Sequence, residues 1–393
     1  MSSALMNTYG RSEYAFERGE GAYLYATDGR RYLDFATGIA VNSLGHSHPT
    51  LVKVLQDQAA KLWHTSNLYQ IPEQERLAER LVETSFADRV FFCNSGVEAL
   101  EGSFKLARRY NHAKGNPKRW RIIAFEGAFH GRSLATIAAS GNPKYLDGFG
   151  PPVEGFDQVP FGNLNALRAA ITDETAAIIA EPVQGEGGIN AASLDFLRGL
   201  RQAADEFGLL LMFDEVQCGN GRTGKLWAHE WAGVTPDVLT TAKGLGSGFP
   251  IGAILATEDA ASALVPGLHG TTFGGNQLAM TVGKAVLDVI LSDGFLDRVD
   301  RISRVLWDRL TDLVKKHPDV FESARGAGLM LGLKCKVPNT EMLAALRKEG
   351  LLTVTAGNNV LRLLPPLIID ESHVDEALAA LDAVASGWGS GDG

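Results

Sequence analysis

A chain of 393 residues is too long for one compact core and reads as two domains, or as one large domain with a smaller partner. Its apolar fraction of 45% and charged fraction of 21% are those of a folded globular protein, which excludes extensive disorder beyond the termini. The formal charge of -9, with acidic and basic residues interspersed, excludes nucleic acid and anionic membranes as main partners, while local arginines can still bind an anionic substrate.

Cys93, Cys218 and Cys335 are odd in number and lack paired spacing, so neither a disulfide framework nor a cysteine-based zinc site is expected. The N-terminal residues carry charges and no apolar leader core, and no stretch is apolar enough to span a bilayer. A cytoplasmic, soluble protein is the expectation.

Residues up to about 34 read as a polar arm followed by short strands, with YLYATDGRRYLDF alternating apolar positions across Asp28-Gly29 as a hairpin does. A helix is predicted from Thr50. His46 and His48 precede it without a third ligand nearby, so no metal site is expected. From Pro72 a helical pattern gives way to RVFFCNSG, an apolar run ending in small polar residues, and then to VEALEGSFKLARRY at helical spacing. Strand, turn and helix leave free N–H groups and the positive end of the helix dipole at Asn94, Ser95, Gly96 and Val97. That place suits a phosphate, and it suits an ordinary N-cap equally.

The same grammar recurs along the chain. RIIAF runs into Glu126 and on to Phe129, His130 and Arg132; AAIIA ends in Glu181; LLLMF ends in Asp214; VLTTA ends in Lys243; IGAILA ends in Thr257. Continuously apolar runs alternating with helical segments predict a largely parallel sheet covered on both faces. In such sheets ligands sit outside the carboxyl ends of the strands, where all these polar residues are expected. Strand order is not readable. After residue 275 long helical stretches lead to a second set of shorter strands and helices. The expected division is residues 1–60 as an N-terminal arm packing with the small domain, 61–300 as the large domain and 301–393 as the small C-terminal domain, with a disordered tail at 387–393.

Carboxylates and amines are costly to bury, so Asp214 and Lys243 at strand ends point to chemistry. A helix N-terminus, an aromatic (Phe129), an acid and a lysine on one rim are what pyridoxal phosphate needs: amides for its phosphate, an apolar cover for its ring, an anion at its nitrogen and an amine for its aldehyde. The plain alternatives are a surface lysine at 243, a capping Asp214, a core Phe129 and ordinary salt bridges for Arg132 and Arg362. GNGRTGK at 219–225 fits a P-loop except that Leu226 stands where Ser or Thr must hold magnesium, which rejects it. GLGSG at 244–248 carries its third glycine one place early for a dinucleotide fingerprint.

The segments NSGVEA, FHGR, EPVQGEGG, DEVQCGNGRTG, AKGLGSGFPIG and HGTTFGGN, in this order from Asn94 to Asn276, resemble those of the class III aminotransferases. These are pyridoxal-phosphate enzymes of the aspartate-aminotransferase fold. With ATGIAVNSLGHSHP near the start and NVLRLLPPL near the end, the resemblance spans nearly the whole chain, and within the family it is greatest to the acetylornithine aminotransferases. It implies an α/β fold of type I, with a large domain built on a mostly parallel sheet and a smaller α+β domain. It further implies that Lys243 forms the Schiff base and shuttles the proton, that Asp214 pairs with the pyridinium nitrogen and that Gln217 approaches the ring hydroxyl. Phe129 and Val216 would sandwich the ring, and Glu181 joins the cofactor-binding set. Ser95, Gly96 and Val97 would bind the phosphate, with Thr272 reaching it from the neighbouring subunit of a homodimer. The family more often has Thr or Ala where this chain has Val97, which removes a hydroxyl contact and leaves the backbone N–H.

The implied reaction moves the terminal amino group of N2-acetyl-L-ornithine to 2-oxoglutarate, giving N-acetylglutamate 5-semialdehyde and glutamate, a step of arginine biosynthesis. One pocket must then hold a carboxylate close to the cofactor in one half-reaction and far from it in the other. The resemblance makes Arg362 the near anchor, Glu186 its switchable partner and Arg132 the distal anchor, with Tyr23 and Asn42 lining the pocket. Succinylornithine, succinyldiaminopimelate, ornithine and 4-aminobutyrate are alternative donors, and an aminomutase of the same fold is an alternative reaction.

Overall fold

The computed structural model describes residues 4–388. Seven apolar runs form the central sheet: β1 (Arg89–Cys93), β2 (Arg121–Phe125), β3 (Phe156–Val159), β4 (Thr175–Ala180), β5 (Leu210–Asp214), β6 (Val238–Thr241) and β7 (Gly252–Ala256). Their spatial order is β1-β7-β6-β5-β4-β2-β3. β4, β5 and β6 are buried along their whole length, as strands covered on both faces must be. Successive residues divide between the two cores. Met212 packs with Leu100 and Phe104 of the helix Gly96–Ala113, whereas Leu211 and Phe213 pack with Phe196 and Leu200 of the helix Leu194–Phe207.

β2 to β6 pair in parallel, while β7 runs antiparallel to both of its neighbours, β6 and β1. This corrects one expectation. Thr257 follows the carboxyl end of a reversed strand, so it lies on the opposite edge of the sheet, where it caps the short helix Glu258–Ala261. An apolar run reads alike in both directions, and the reversal leaves no mark in the residues. At the rim shared by the other carboxyl ends, β7 contributes its start: Gly252 lies opposite Cys93, and a Cβ there would collide with the carbonyl of Ser95.

The helices Pro49–Ala59 and Pro72–Glu83 both pack on Gln277–Ile290. The long amphipathic helix Phe295–Lys316 then leads to an antiparallel sheet of Phe321–Ala327, Met330–Cys335, Val360–Leu363 and Val354–Ala356, in that spatial order. The N-terminal strands Phe16–Glu20, Tyr23–Ala26 and Arg31–Asp34 form a meander whose second turn holds Gly29 at φ +84°, as the Asp28-Gly29 signal predicts. The third of them pairs in parallel with Leu351–Leu352, which builds the start of the chain into its last third. The final helix Glu371–Trp388 packs on Phe295–Lys316. Gly387 and Trp388, expected in a disordered tail, end that helix, and residues 389–393 lie outside the described residues.

The segment that resembles a P-loop is a joint between these parts. Arg222 is buried and donates to the carbonyls of Leu329 and Pro365, with burial lowering its pKa to about 9. No helix among the described residues is long and apolar enough to cross a membrane.

Candidate active site

A cleft of about 450 Å³ opens at the carboxyl ends of the parallel strands. Its first wall is the turn from β1 into the helix Gly96–Ala113. Ser95 caps that helix, its Oγ accepting the N–H of Glu98, and the N–H groups of Gly96 and Val97 at the helix start have no acceptor within the helix. Gly96 is required by space: a Cβ there would stand 2.8 Å from Cγ1 of Val216, which lines the opposite side. Together these make a cup of free amides with a positive dipole end.

At the cleft's centre, Asp214 ends β5 and is buried. One of its oxygens accepts the N–H of Val216 at 3.0 Å, and the other lies 2.8 Å from Nδ1 of His130. Burial alone would push the His130 imidazolium down, but its hydrogen bond to Asp214 and the charge of that carboxylate outweigh this and raise its pKa. Glu181, at the end of β4, accepts the N–H of Phe129 at 2.9 Å. Burial, with repulsion from Asp214, raises its pKa to about 8 although His130 opposes the shift. His130 carries no separate signal in the sequence beyond its place in FHGR; only the fold brings it to Asp214.

Lys243 stands beyond the end of β6 with φ 44°, a left-handed conformation that side chains other than glycine rarely adopt. The strained loop is held by Ser43, which donates to the carbonyl of Gly244 at 3.0 Å, and by Ser247, whose Oγ accepts the N–H of Leu44 at 2.9 Å. Among the described residues the Lys243 amine has no hydrogen-bond or ion-pair partner. Desolvation lowers its pKa; Glu186 opposes this and Arg362 adds to it. A lysine with a lowered pKa is a competent nucleophile and proton carrier.

Behind the cleft, Arg362 is buried on the strand Val360–Leu363. It reaches Glu186 at 2.6 Å, Gln217 at 3.3 Å and the carbonyl of Thr355 at 2.9 Å. Gln217 lines the cleft and so links the Arg362–Glu186 pair to it. Arg132 lines the cleft itself, is exposed, and has no ion pair among the described residues.

Five expected residues do not line the cleft: Arg362 and Glu186, which stand behind Gln217, and Tyr23, Asn42 and Thr272. Tyr23 gives its hydroxyl to Glu376 at 3.0 Å and lays its ring against His373, because its position in the meander faces the final helix. Asn42 adjoins the wall rather than forming it: its side-chain oxygen would stand 3.0 Å from a Cβ on Gly248, which lines the cleft. Thr272 is exposed on the outer surface beside Phe273.

This rim on an α/β sheet is the site of an aminotransferase. The sequence profile of the family "Aminotransferase class-III" matches residues 6–385, and the chain belongs to that family. An acetylornithine aminotransferase of Brucella melitensis is 61% identical over 378 residues, covering 96% of this chain and 94% of that protein. Among solved structures, the N-acetylornithine aminotransferase of Stenotrophomonas maltophilia is 38% identical with a TM-score of 0.85, covering 97% of each chain. The ornithine aminotransferase of Toxoplasma gondii is 28% identical with a TM-score of 0.95, covering 98% of this chain and 93% of that one. Class III aminotransferases depend on pyridoxal phosphate, and the residues present fit that group. The amide cup, the glycine that brings it against Val216, the buried carboxylate and the unpaired amine all face one cleft.

Proposed function

We propose that this chain transfers the terminal amino group of N2-acetyl-L-ornithine to 2-oxoglutarate, giving N-acetylglutamate 5-semialdehyde and glutamate. The observation that carries the reading is the pair of arginines: Arg362 is neutralised by Glu186 behind the cleft, and Arg132 lines the cleft with no ion pair among the described residues. A donor whose carboxylate lies far from its reacting amine needs the second arginine and a discharged first one. The acceptor, with a carboxylate next to its reacting carbon, needs Arg362 released from Glu186. The name of the Brucella melitensis relative supports the same donor.

Pyridoxal phosphate supplies the aldehyde that carries the amino group and the ring that takes up electrons from the breaking C–H bond. In this reading Ser95, Gly96 and Val97 hold its phosphate, Phe129 and Val216 cover its ring, Asp214 faces its nitrogen and Gln217 its ring oxygen. Glu181 fixes the backbone of Phe129, and His130 fixes one oxygen of Asp214. Lys243 Nζ takes the proton from the carbon bearing the amine and returns it one position along, a transfer that needs the lowered pKa that burial gives it.

A homodimer is part of the proposal, with Thr272 serving the neighbouring subunit's phosphate. It is supported by the exposed apolar side chains Trp63, Leu68, Tyr69 and Phe273 on two segments that Asn67 ties together through the carbonyl of Gly274 at 2.9 Å. Cytoplasmic placement is supported by three buried cysteines, none in a disulfide.

The test is kcat/KM for N2-acetylornithine, succinylornithine, succinyldiaminopimelate, ornithine and 4-aminobutyrate with 2-oxoglutarate, together with the Lys243→Ala variant. Acetylornithine should lead the panel. Lys243→Ala should lose at least about 10²–10⁴-fold in turnover, the range for a positioned proton-transfer group, and lose the borohydride-sensitive visible absorbance. Full turnover by that variant would remove the reading.

A further inference from the structure

Arg132 presents a problem that the residues around it solve. A long, exposed side chain with no carboxylate partner has many rotamers, and a free guanidinium that samples them all makes a poor anchor. A carboxylate would fix it but would also cancel the charge that a substrate needs. The turn before it is rigid: Gly131 has φ +132°, and a Cβ there would come within 2.7 Å of Val97. Beyond that turn, among the described residues, only aromatic faces hold the side chain. Its guanidinium carbon lies 4.0 Å from the centre of the Tyr145 ring and 5.6 Å from that of Phe129. The two rings meet edge to face, 6.0 Å apart at 83°. Tyr145 is seated in the short helix Pro143–Leu146, whose start is capped by Asn142 accepting the N–H of Lys144 at 3.0 Å.

We propose that Tyr145 is a positioning residue for substrate carboxylates: its ring holds the Arg132 guanidinium toward the cleft without discharging it. An aromatic face attracts a cation through its quadrupole and leaves the N–H edge of the guanidinium free for a carboxylate, which a salt bridge would not. The proposal rests on the reading of Arg132 as the distal anchor.

The holoenzyme variants Tyr145→Leu, Tyr145→Phe and Arg132→Leu test it. Three quantities are read: kcat and KM for N2-acetylornithine, kcat/KM for its decarboxylated analogue N-acetyl-1,4-diaminobutane, and the inhibition constant of glutarate, an unreactive dicarboxylate. Tyr145→Leu should raise the acetylornithine KM and the glutarate constant by about five- to tenfold, the scale of a partly desolvated cation–π contact, with kcat within about twofold. The analogue, lacking the carboxylate, should be unaffected, and Tyr145→Phe, which keeps the ring, should match the parent. An unchanged KM in Tyr145→Leu, or an equal loss on the analogue, overturns the proposal for Tyr145. If Arg132→Leu also leaves KM and the glutarate constant unchanged, the underlying reading of Arg132 fails as well.

Discussion

Arg362 is buried, with one nitrogen shared by Glu186 and Gln217 and the other on the carbonyl of Thr355; Arg132 is exposed and rests on the faces of Tyr145 and Phe129. Burial is what separates them. A guanidinium buried without a counter-charge costs several kcal/mol, so Arg362 must have Glu186 or a substrate carboxylate beside it at all times. Glu186 is only partly covered, as its proposed exchange with a substrate carboxylate requires. Arg132 pays no such cost in water and can remain charged between substrates. In the proposed reading one guanidinium is always paired, by Glu186 or by substrate, and the other is left open for a carboxylate.

The harshest way to break this comparison is Arg362→Leu. Truncating one partner of a buried, hydrogen-bonded pair costs about 2–5 kcal/mol, so kcat/KM for 2-oxoglutarate should fall by about 10²–10³-fold. The acetylornithine half-reaction, followed in single turnover, should fall by much less. Equal losses in both half-reactions would mean that the two arginines are not divided in this way.

Glu186→Gln should have a smaller and opposite signature. With its counter-charge gone, Arg362 would attract glutamate several-fold better, while the acetylornithine half-reaction should slow by about tenfold, the worth of a charged hydrogen bond. An unchanged ratio between the two half-reactions would sink the switch.

The last prediction concerns stability and Glu181, a buried acid of the same cleft. Burial keeps Glu181 protonated up to about 8, against an ordinary 4.5, so the native state holds a proton that the unfolded chain releases. The stability this proton contributes is complete below about 4.5 and is lost as pH rises to about 8. Denaturant titrations of the parent and Glu181→Gln should therefore show the parent losing ground with rising pH across that window, by at most about 1.4 kcal/mol per pH unit. Curves that stay parallel from pH 5 to pH 8 would show that Glu181 is already ionised.

The buried strands were legible because apolar runs such as LLLMF and AAIIA end abruptly in Asp214 and Glu181, and a sheet covered on both faces leaves no other place for such runs. The cup at Ser95–Gly96–Val97 was legible for a similar reason, a strand and a helix separated by a few small residues. Direction was not: the reversal of β7 and the true edge of Thr257 depend on pairing partners far away in the chain. The same limit hid His130, whose meeting with Asp214 spans 84 positions, and Tyr145, a tyrosine in a polar loop until the fold sets it beneath Arg132. It also misdirected Tyr23, since alternation in a strand gives two faces but not which element covers each.

The reversed strand has a consequence for how the molecule comes into being. β1, which leads into the amide cup, is an edge strand among the described residues and pairs with β7, more than 150 residues later in the chain. Closing so long a loop is slow and is rewarded only at the end. Residues 89–97 leave the ribosome long before Asp214 and Lys243, yet they cannot take their place on the rim until residue 256 has been made.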